Sequence, residues 1–260
     1  MEGLQRVIIS RTDSIGDVVL TLPMAGMPKE KFPDAEILFL GRSYTRDVVK
    51  ACTHIDAFVN WDEQDDTTAT RMMIEHEADA IIHVFPNSKI ARLARKAGIP
   101  YRLGTTNRLY HWTTCNKLVR LTRRRSDLHE AQLNLRLISN LTGEKHVSID
   151  KIKHLYGLTA LAPLNEKFTS LLEPEKFNLI LHPKSKGSAR EWGMDNFIKL
   201  CQNLSPKKYS IFISGTSDEG RLMKDSGIFQ FEHIKNITGQ MSLQQFMSFI
   251  GHCDGLVAAS

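Results

Sequence analysis

Two carboxylates stand four residues apart in the loop that follows the first β-rich run of the chain. The loop reads RTDSIGDVVL from Arg11, and the carboxylates are Asp13 and Asp17. A carboxylate at the end of a parallel strand lies where α/β proteins bind ligands, and it can take the proton of a reacting hydroxyl. The alternative is that Asp17 only lies in the first turn of a helix, where the helix dipole favours negative charge. The loop lacks the glycines of a dinucleotide fingerprint and the Lys-Ser/Thr of a P-loop.

A second loop concentrates positive charge at the start of the second half of the chain. It reads HPKSKGSAREW from His182, between a predicted strand and a predicted helix. Cationic side chains, hydroxyls and free backbone N–H groups at a helix start form an anion site. The loop therefore favours phosphate binding over a merely solvated basic segment. Its candidate anion-binding residues are Lys184, Ser185, Lys186 and Arg190.

Three further polar clusters carry weaker signals. Gly215 leads into Glu219, whose carboxylate would bind ribose hydroxyls or cap a helix. The acidic cluster DEQDD from Asp62 has no converging histidine, which favours a solvated, capping role over a metal site. A basic run is either a solvated loop or a patch for the phosphates of a substrate, a lipid head group or a nucleic acid. Its cations are Arg120, Arg123, Arg124 and Arg125, preceded by Arg102, Arg108 and Lys117.

Strand-like and helical patterns alternate along almost the whole chain, which predicts an α/β fold with parallel sheets. In the first half, strands are predicted over 7–10, 36–40, 57–60 and 80–84, and helices over 17–27, 43–51, 67–77, 88–97 and 126–141. Residues 157–176 suit a linker because of their Gly and Pro content. In the second half, strands are predicted over 177–182, 209–214, 235–237 and 255–259, and helices over 195–204, 217–226 and 242–252. In each half, the fourth strand of a doubly wound sheet should pair with the first.

Composition places the chain among ordinary globular proteins. Of its 260 residues, 42% are hydrophobic and 24% are charged, and the formal net charge is +5. These values exclude a disordered, collagen-like or disulfide-stapled chain. The four cysteines show no CxxC pair and no zinc-ligand spacing. No run approaches the ~20 apolar residues of a membrane helix, and the first residues lack the layout of a signal peptide, so we expect a cytoplasmic protein.

The two main loops resemble those of glycosyltransferase family 9, the ADP-heptose:lipopolysaccharide heptosyltransferases. The resemblance rests on RxDxIGDVVLTxP, which ends at Pro23, and on HPKSKGSAREW, which ends at Trp192. The segments GTSDE from Gly215 and GQMSL from Gly239 also match in order and spacing, with weaker specificity. The resemblance covers the chain from end to end.

The resemblance implies a GT-B-like fold with two Rossmann-like, doubly wound parallel-sheet domains. Residues 1–160 would form the acceptor-binding domain, 161–176 the linker, and 177–260 part of the nucleotide-sugar-binding domain. The family continues beyond the strand at 255–259 with a further donor-binding loop, so we expect the second domain to be incomplete. The implied reaction is an inverting, metal-independent transfer of heptose from ADP-heptose to the lipopolysaccharide inner core, without a cofactor.

The resemblance also implies roles for individual residues. Asp17 falls on the family's catalytic aspartate, the expected general base on the acceptor hydroxyl. The acceptor-side loop around it would consist of Arg11, Asp13, Ser14 and Gly16. The donor's phosphates would contact Lys184, Ser185, Lys186 and Arg190, and its nucleoside would contact Glu219 and Met241.

The implied partners are an ADP-sugar donor and an acidic lipid A/core oligosaccharide acceptor. The basic 102–125 stretch would face this acceptor, with a peripheral contact at the inner face of the cytoplasmic membrane. An alternative is a non-catalytic nucleotide-sugar or glycan-binding relic of the family. A nucleic-acid-binding protein is a weaker alternative, because no recognised nucleic-acid fold motif accompanies the basic run. We therefore expect no nucleic-acid partner.

Overall fold

The computed structural model describes residues 3–62, 65–123, 126–185 and 190–259. The chain forms two compact units, Met1–Ala160 and Leu161–Ser260. Each unit contains its own parallel β-sheet with helices between the strands. In the described stretches, no helix combines the length and the apolar character that crossing a membrane requires.

The first unit is doubly wound, as the sequence pattern predicts. Its elements in chain order are β1 (Arg6–Ser10), α1 (Ile15–Val19), α2 (Pro23–Lys31), β2 (Glu36–Gly41), α3 (Arg46–Lys50), β3 (Ala57–Asn60), α4 (Asp66–Glu75), β4 (Ala80–His83), α5 (Ser88–Lys96), β5 (Tyr101–Thr105), α6 (His111–Thr114), β6 (Lys117–Val119), α7 (Glu130–Leu137), α8 (Ser139–Thr142) and α9 (Ile149–Leu155). The strands are in the order β3-β2-β1-β4-β5-β6, so β4 lies next to β1 and the winding reverses there. Ligands of open α/β sheets bind at such a reversal.

The central strands β1 and β4 are buried because their side chains are apolar on both faces. On one face, Ile8 and Ile81 pack with Met73 of α4 and Ile90 of α5 in one apolar cluster. Burying a large apolar side chain contributes roughly 1.5–3 kcal/mol. This packing fixes the strands, so the loops that follow β1, β4 and β5 meet at one edge of the sheet.

Two predicted helices are each divided in the structure. The helix expected over 17–27 is α1 and α2, and the second begins at Pro23, which has no N–H to donate to a preceding turn. The helix expected over 126–141 starts only at Glu130, because the His129 ring caps it by accepting from the N–H of Ala131 at 3.3 Å. Gly143 follows α8 with φ 83°, the left-handed conformation typical of a helix end.

The cations that precede the basic run lie in an ordered part of the sheet. Residues 102–119 contain most of β5, all of α6 and all of β6, and the two strands extend the sheet beyond β4. The run itself begins at Arg120, and residues 120–123 lie outside helices and strands, as the loop alternative expects. Short strands that carry arginine and lysine lack the apolar run by which the other strands were predicted. Arg124 and Arg125 lie outside the described residues.

The second unit repeats the architecture. Its elements are α10 (Glu166–Thr169), β7 (Phe177–His182), α11 (Met194–Asn203), β8 (Tyr209–Ile213), α12 (Ser217–Met223), β9 (Ile234–Asn236), α13 (Leu243–Ile250) and β10 (Gly255–Ala258). The strand order is β10-β7-β8-β9, so the fourth strand pairs with the first, as predicted. Phe212 and Phe249 pack edge to face at 5.0 Å with Phe168 in the cluster on one face of the sheet, and Leu181 packs with Phe197 on the other.

Candidate active site

A polar cavity of about 420 Å³ opens at the carboxyl ends of β1, β4 and β5 in the first unit. This is the position of the winding reversal, where binding sites of doubly wound sheets lie. The loops after these three strands supply most of its wall, and the segment that leads into α7 supplies the rest. The lining residues are Arg11, Asp17, Val84, Phe85, Pro86, Thr105, Asn107, Arg108, Arg123 and Glu130.

Asp17 reaches this cavity because Ser14 starts the helix that carries it. Ser14 is the N-cap of α1, and its hydroxyl accepts from the Asp17 N–H at 3.4 Å. The same hydroxyl donates to Oδ2 of Asp17 at 2.7 Å. Asp17 therefore lies in the first helical turn and also lines the cavity, with 38% of its side chain exposed. The two interpretations left open by the sequence are compatible.

Arg11 is the buried centre of the acceptor-side loop. It is only 4% exposed, and its guanidinium contacts Asp13 through two hydrogen bonds of 2.6 and 2.9 Å. It also contacts Oδ1 of Asp17 at 2.7 Å. A guanidinium this deeply buried needs carboxylate partners, because an unpaired charge is costly inside a protein. Asp13 and Asp17 are thus brought together around one cation, while Ser14 caps the helix that carries Asp17 and Gly16 lies in the first turn of that helix.

The two carboxylates on Arg11 differ in their surroundings. Burial raises the pKa of Asp13, against the opposing hydrogen bond and charge of Arg11, and the charge of Asp17 raises it further. Both carboxylate oxygens of Asp13 accept hydrogen bonds from Arg11, and its backbone carbonyl accepts from Tyr44 Oη at 2.6 Å. Only one carboxylate oxygen of Asp17 contacts Arg11, and its side chain stays partly exposed toward the cavity. Asp17 is therefore the better placed of the two to meet a ligand hydroxyl.

Arginines and a second carboxylate complete the cavity wall. Arg123 makes a two-pronged contact with Glu130, with Nη2 to Oε1 at 2.7 Å, and this hydrogen bonding raises the pKa of Arg123. Arg108 also lines the cavity and has no ion-pair partner among the described residues. From the sequence, the two arginines were recognised only as part of the basic stretch, and Thr105 and Asn107 were not predicted to belong to a site. Their position directly after strand β5 is the signal that could have found them.

Two buried histidines lie behind this wall. His83 and His111 stack with ring centroids 5.7 Å apart, and both are fully buried. Burial lowers the pKa of His83 to about 3, and it also lowers the pKa of His111. His111 Nδ1 lies 3.0 Å from the N–H of Thr105, a cavity residue. Both rings are therefore neutral at neutral pH, and arginines and carboxylates set the charge of the site.

In the second unit, a carboxylate holds the predicted phosphate-binding residues. Lys184 Nζ lies 2.9 Å from Glu191, and the Ser185 N–H donates to the same carboxylate at 3.0 Å. The hydrogen bond from Lys184 lowers the pKa of Glu191. Arg190 is exposed, and Lys186 lies outside the described residues. The Glu191 carboxylate thus already contacts a lysine and a backbone N–H that could otherwise bind a phosphate.

The predicted nucleoside residues follow β8 and β9, in two segments that the fold brings together. Glu219 is buried and accepts from the N–H and the hydroxyl of Thr216 at 2.6 and 2.9 Å, so the capping alternative holds in this structure. The Gly239 N–H donates to the carbonyl of Gly215 at 2.8 Å, which joins the loops after β9 and β8. Met241 is partly buried against the aromatic cluster of the unit. Among the described residues, no group of three or more His, Cys, Asp and Glu side chains is arranged to hold a metal ion.

Comparisons with known proteins relate most of the chain to one family. Residues 68–259 match the sequence model of glycosyltransferase family 9 (heptosyltransferase). A curated Haemophilus influenzae protein, named "Putative glycosyltransferase", is 24% identical, and the match covers 77% of this chain. The chain spans only 60% of the length of that relative.

Solved structures share the fold at low sequence identity. The E. coli heptosyltransferase WaaC with ADP-2-deoxy-2-fluoro heptose superposes with a TM-score of 0.75 at 14% identity, over 98% of this chain and 83% of that one. The E. coli ADP-heptose lps heptosyltransferase II gives 0.72 at 16% identity, over 98% and 78%. A family 9 glycosyl transferase from Veillonella parvula gives 0.73 at 16% identity, over 98% and 74%. The two-sheet, GT-B-like α/β fold is thus confirmed.

Proposed function

Because this chain belongs to glycosyltransferase family 9, we propose that it is an inverting, metal-independent glycosyltransferase that transfers heptose from ADP-heptose to the lipopolysaccharide inner core. Two solved structures of the E. coli heptosyltransferase WaaC, which share the fold, support this donor, since one is described with ADP and the other with ADP-2-deoxy-2-fluoro heptose. The acceptor would bind the first unit and the donor the second. We place the reaction in the cytoplasm, with a peripheral contact at the inner membrane face.

The observation that carries the proposal is the position of Asp17 in the cavity of the first unit. The carboxylate stands at the carboxyl end of β1, held by Arg11 and Ser14 and open on its remaining side. A sugar hydroxyl is a poor nucleophile, and a positioned base typically accelerates its attack ~10²–10⁴-fold. An acceptor hydroxyl in this cavity would deliver its proton to Asp17.

The proposed step is a single displacement at the anomeric carbon. The acceptor oxygen forms its bond as its proton passes to Asp17, and the bond from the anomeric carbon to the diphosphate oxygen breaks. ADP leaves with the bonding electrons, and attack opposite to it inverts the anomeric centre. Negative charge grows on the diphosphate, so cations aimed at it lower the barrier. We assign this role to Lys184, Lys186 and Arg190, with Ser185 as a backbone donor.

The cavity also favours an anionic acceptor. Arg108 lines it without a carboxylate partner among the described residues, and Arg123 lines it beside Glu130. Arginine binds carboxylates and phosphates through paired hydrogen bonds. These cations suit the acidic sugars and phosphates of a lipid A/core oligosaccharide.

The test is transfer by the complete protein from ADP-heptose to a heptose-free core acceptor. We expect release of ADP together with a heptosylated product of inverted anomeric configuration. The same acceptor with a UDP-sugar is the control and should give no product. Tight ADP-heptose binding without ADP release would contradict the transferase proposal and favour the non-catalytic relic.

A further inference from the structure

One segment of the first unit has a strongly one-sided charge. Between Ala80 and Ser126 the sequence contains no Asp or Glu, yet it carries Lys or Arg at eleven positions. The structure places residues 80–119 of this segment in β4, α5, β5, α6, β6 and the turns between them, at one side of the sheet. The remainder of the chain mixes both signs of charge, so this end of the unit is an electropositive surface.

Few of these cations are neutralised by neighbours. Asp66 reaches Lys89 at 2.6 Å, and Glu130 reaches Arg123. Arg92 and Lys96 are exposed on α5 and have no ion-pair partner among the described residues. Their positive charge is therefore available to an external partner.

Two large apolar side chains project from the same region. Leu109 is 89% exposed and Trp112 is 61% exposed. The indole N–H of Trp112 donates to the carbonyl of Thr106 at 3.1 Å, so the ring is held in place while most of it faces solvent. An exposed, oriented Trp beside a nearly bare Leu is typical of side chains that enter the headgroup layer of a bilayer.

The basic and apolar groups belong to one continuous face. Arg95 of α5 donates to the carbonyl of Thr113 in α6 at 2.7 Å, which joins the two helices beside Trp112. Leu109 directly follows Arg108, which lines the cavity. We call the surface formed by Arg92, Arg95, Lys96, Leu109 and Trp112 the α5–α6 face.

We propose that the α5–α6 face docks the protein on an anionic lipid membrane, with Leu109 and Trp112 inserted among the headgroups. The cations match the negative surface of such a membrane, and each contributes through charge that salt screens. The loop that forms one wall of the cavity then lies at the bilayer surface. This inference deepens the proposed function, since a lipid-linked acceptor would be met where it is anchored.

Binding to vesicles tests the docking face directly. Co-sedimentation with phosphatidylglycerol/phosphatidylethanolamine vesicles should be strong at low salt, weaker at high salt, and weak with pure phosphatidylcholine vesicles. Leu109→Ser with Trp112→Ser should weaken binding about tenfold, because the inserted apolar groups are lost. Arg92→Gln with Lys96→Gln should also weaken it about tenfold.

Matched control variants show whether a loss of vesicle binding is specific to the α5–α6 face or follows from removing any exposed apolar or charged side chain. Leu222→Ser removes another apolar side chain that is 75% exposed, and Lys50→Gln with Lys199→Gln removes two other exposed charges. Both control variants should bind vesicles like the parent. The single variant Leu109→Ser, at a nearly bare position, should fold normally and still lose part of the binding.

The outcomes distinguish this inference from the proposed function. Transfer to a delipidated core oligosaccharide should be unchanged in the α5–α6 variants, and vesicle binding is measured whether or not transfer occurs. Parent-like vesicle binding by both double variants would overturn the proposal. Preferential binding to a single-stranded DNA 30-mer, lost with Arg92→Gln and Lys96→Gln while vesicles are ignored, would also overturn it.

Discussion

At the scale of single residues, the carboxylates of both candidate sites already contact cations of the protein. Arg11 holds Asp13 and Asp17 in the first unit, and Glu191 holds Lys184 and Ser185 in the second. Such contacts order the side chains before a ligand arrives. A ligand must therefore either displace the internal carboxylate or share the same cation and N–H donors with it.

Glu191→Gln should strengthen ADP binding several-fold. The carboxylate contacts Lys184 and the N–H of Ser185, so its charge repels a diphosphate at the same groups. Glutamine keeps the shape and removes the charge. Calorimetry with ADP measures the change, and Glu175→Gln, an exposed glutamate of the same unit, is the control. Weaker binding in Glu191→Gln would show that Glu191 supports the phosphate site and does not compete for it.

His83 should make folding sensitive to acid. Its pKa is about 3 in the folded protein, against an ordinary value of 6.5. The unfolded chain binds a proton between these two values and the folded chain does not, so stability falls as the pH drops from about 6.5 toward about 3. The slope approaches ~1.4 kcal/mol per pH unit.

His83→Leu should flatten this slope, because leucine binds no proton, and it suits this buried position since the ring nitrogens of His83 have no hydrogen-bond partner to lose among the described residues. Urea unfolding at pH 7 and at pH 5 measures the slope. His154→Gln, at an exposed position, should keep the parent slope. An unchanged slope in His83→Leu would show that His83 is not the responsible group.

At the scale of elements, close packing of two loops depends on one glycine. Gly239 has φ 67°, and a Cβ there would lie 2.1 Å from Ser217 Oγ. Gly227 has φ 82° in the same unit, but a Cβ there would have only ordinary contacts. The two positions share the backbone conformation and differ in the space around it.

Gly239→Ala should therefore destabilise the protein more than Gly227→Ala. The left-handed conformation costs both variants roughly 1–2 kcal/mol. The clash with Ser217 should add about 1–3 kcal/mol for Gly239→Ala alone. Urea unfolding followed by circular dichroism measures both values. Equal losses would mean that the loops after β8 and β9 separate easily.

The elements also show how far sequence reasoning reaches. Strands with continuous apolar runs, such as β1 and β4, were predicted correctly, because burial on both faces leaves a clear pattern. β5 and β6 were missed, because their arginine and lysine side chains project from short edge-side strands. The Asp17 loop was found by its polar residues after a strand. The cavity wall after β4 and β5 was not predicted, because its residues come together only when the strands pair.

At the scale of the whole molecule, the chain divides the proposed reaction between two units. The first holds Asp17 in its cavity, and the second holds the cationic loop after β7. The family match spans 68–259, so the Asp17 loop lies before the matched region. The role of Asp17 therefore depends on its position and contacts, and it is the central claim to test.

The most direct test is the turnover of Asp17→Asn in the complete protein. Asparagine keeps the size of the side chain but cannot accept the proton, so kcat for heptose transfer should fall at least ~10²-fold. ADP-heptose affinity should stay near the parent value, because the proposed donor site lies in the other unit. Asp13→Asn should reduce kcat less, because both carboxylate oxygens of Asp13 already accept hydrogen bonds from Arg11. Near-parent turnover in Asp17→Asn, or a larger loss in Asp13→Asn, would contradict the assignment of the base.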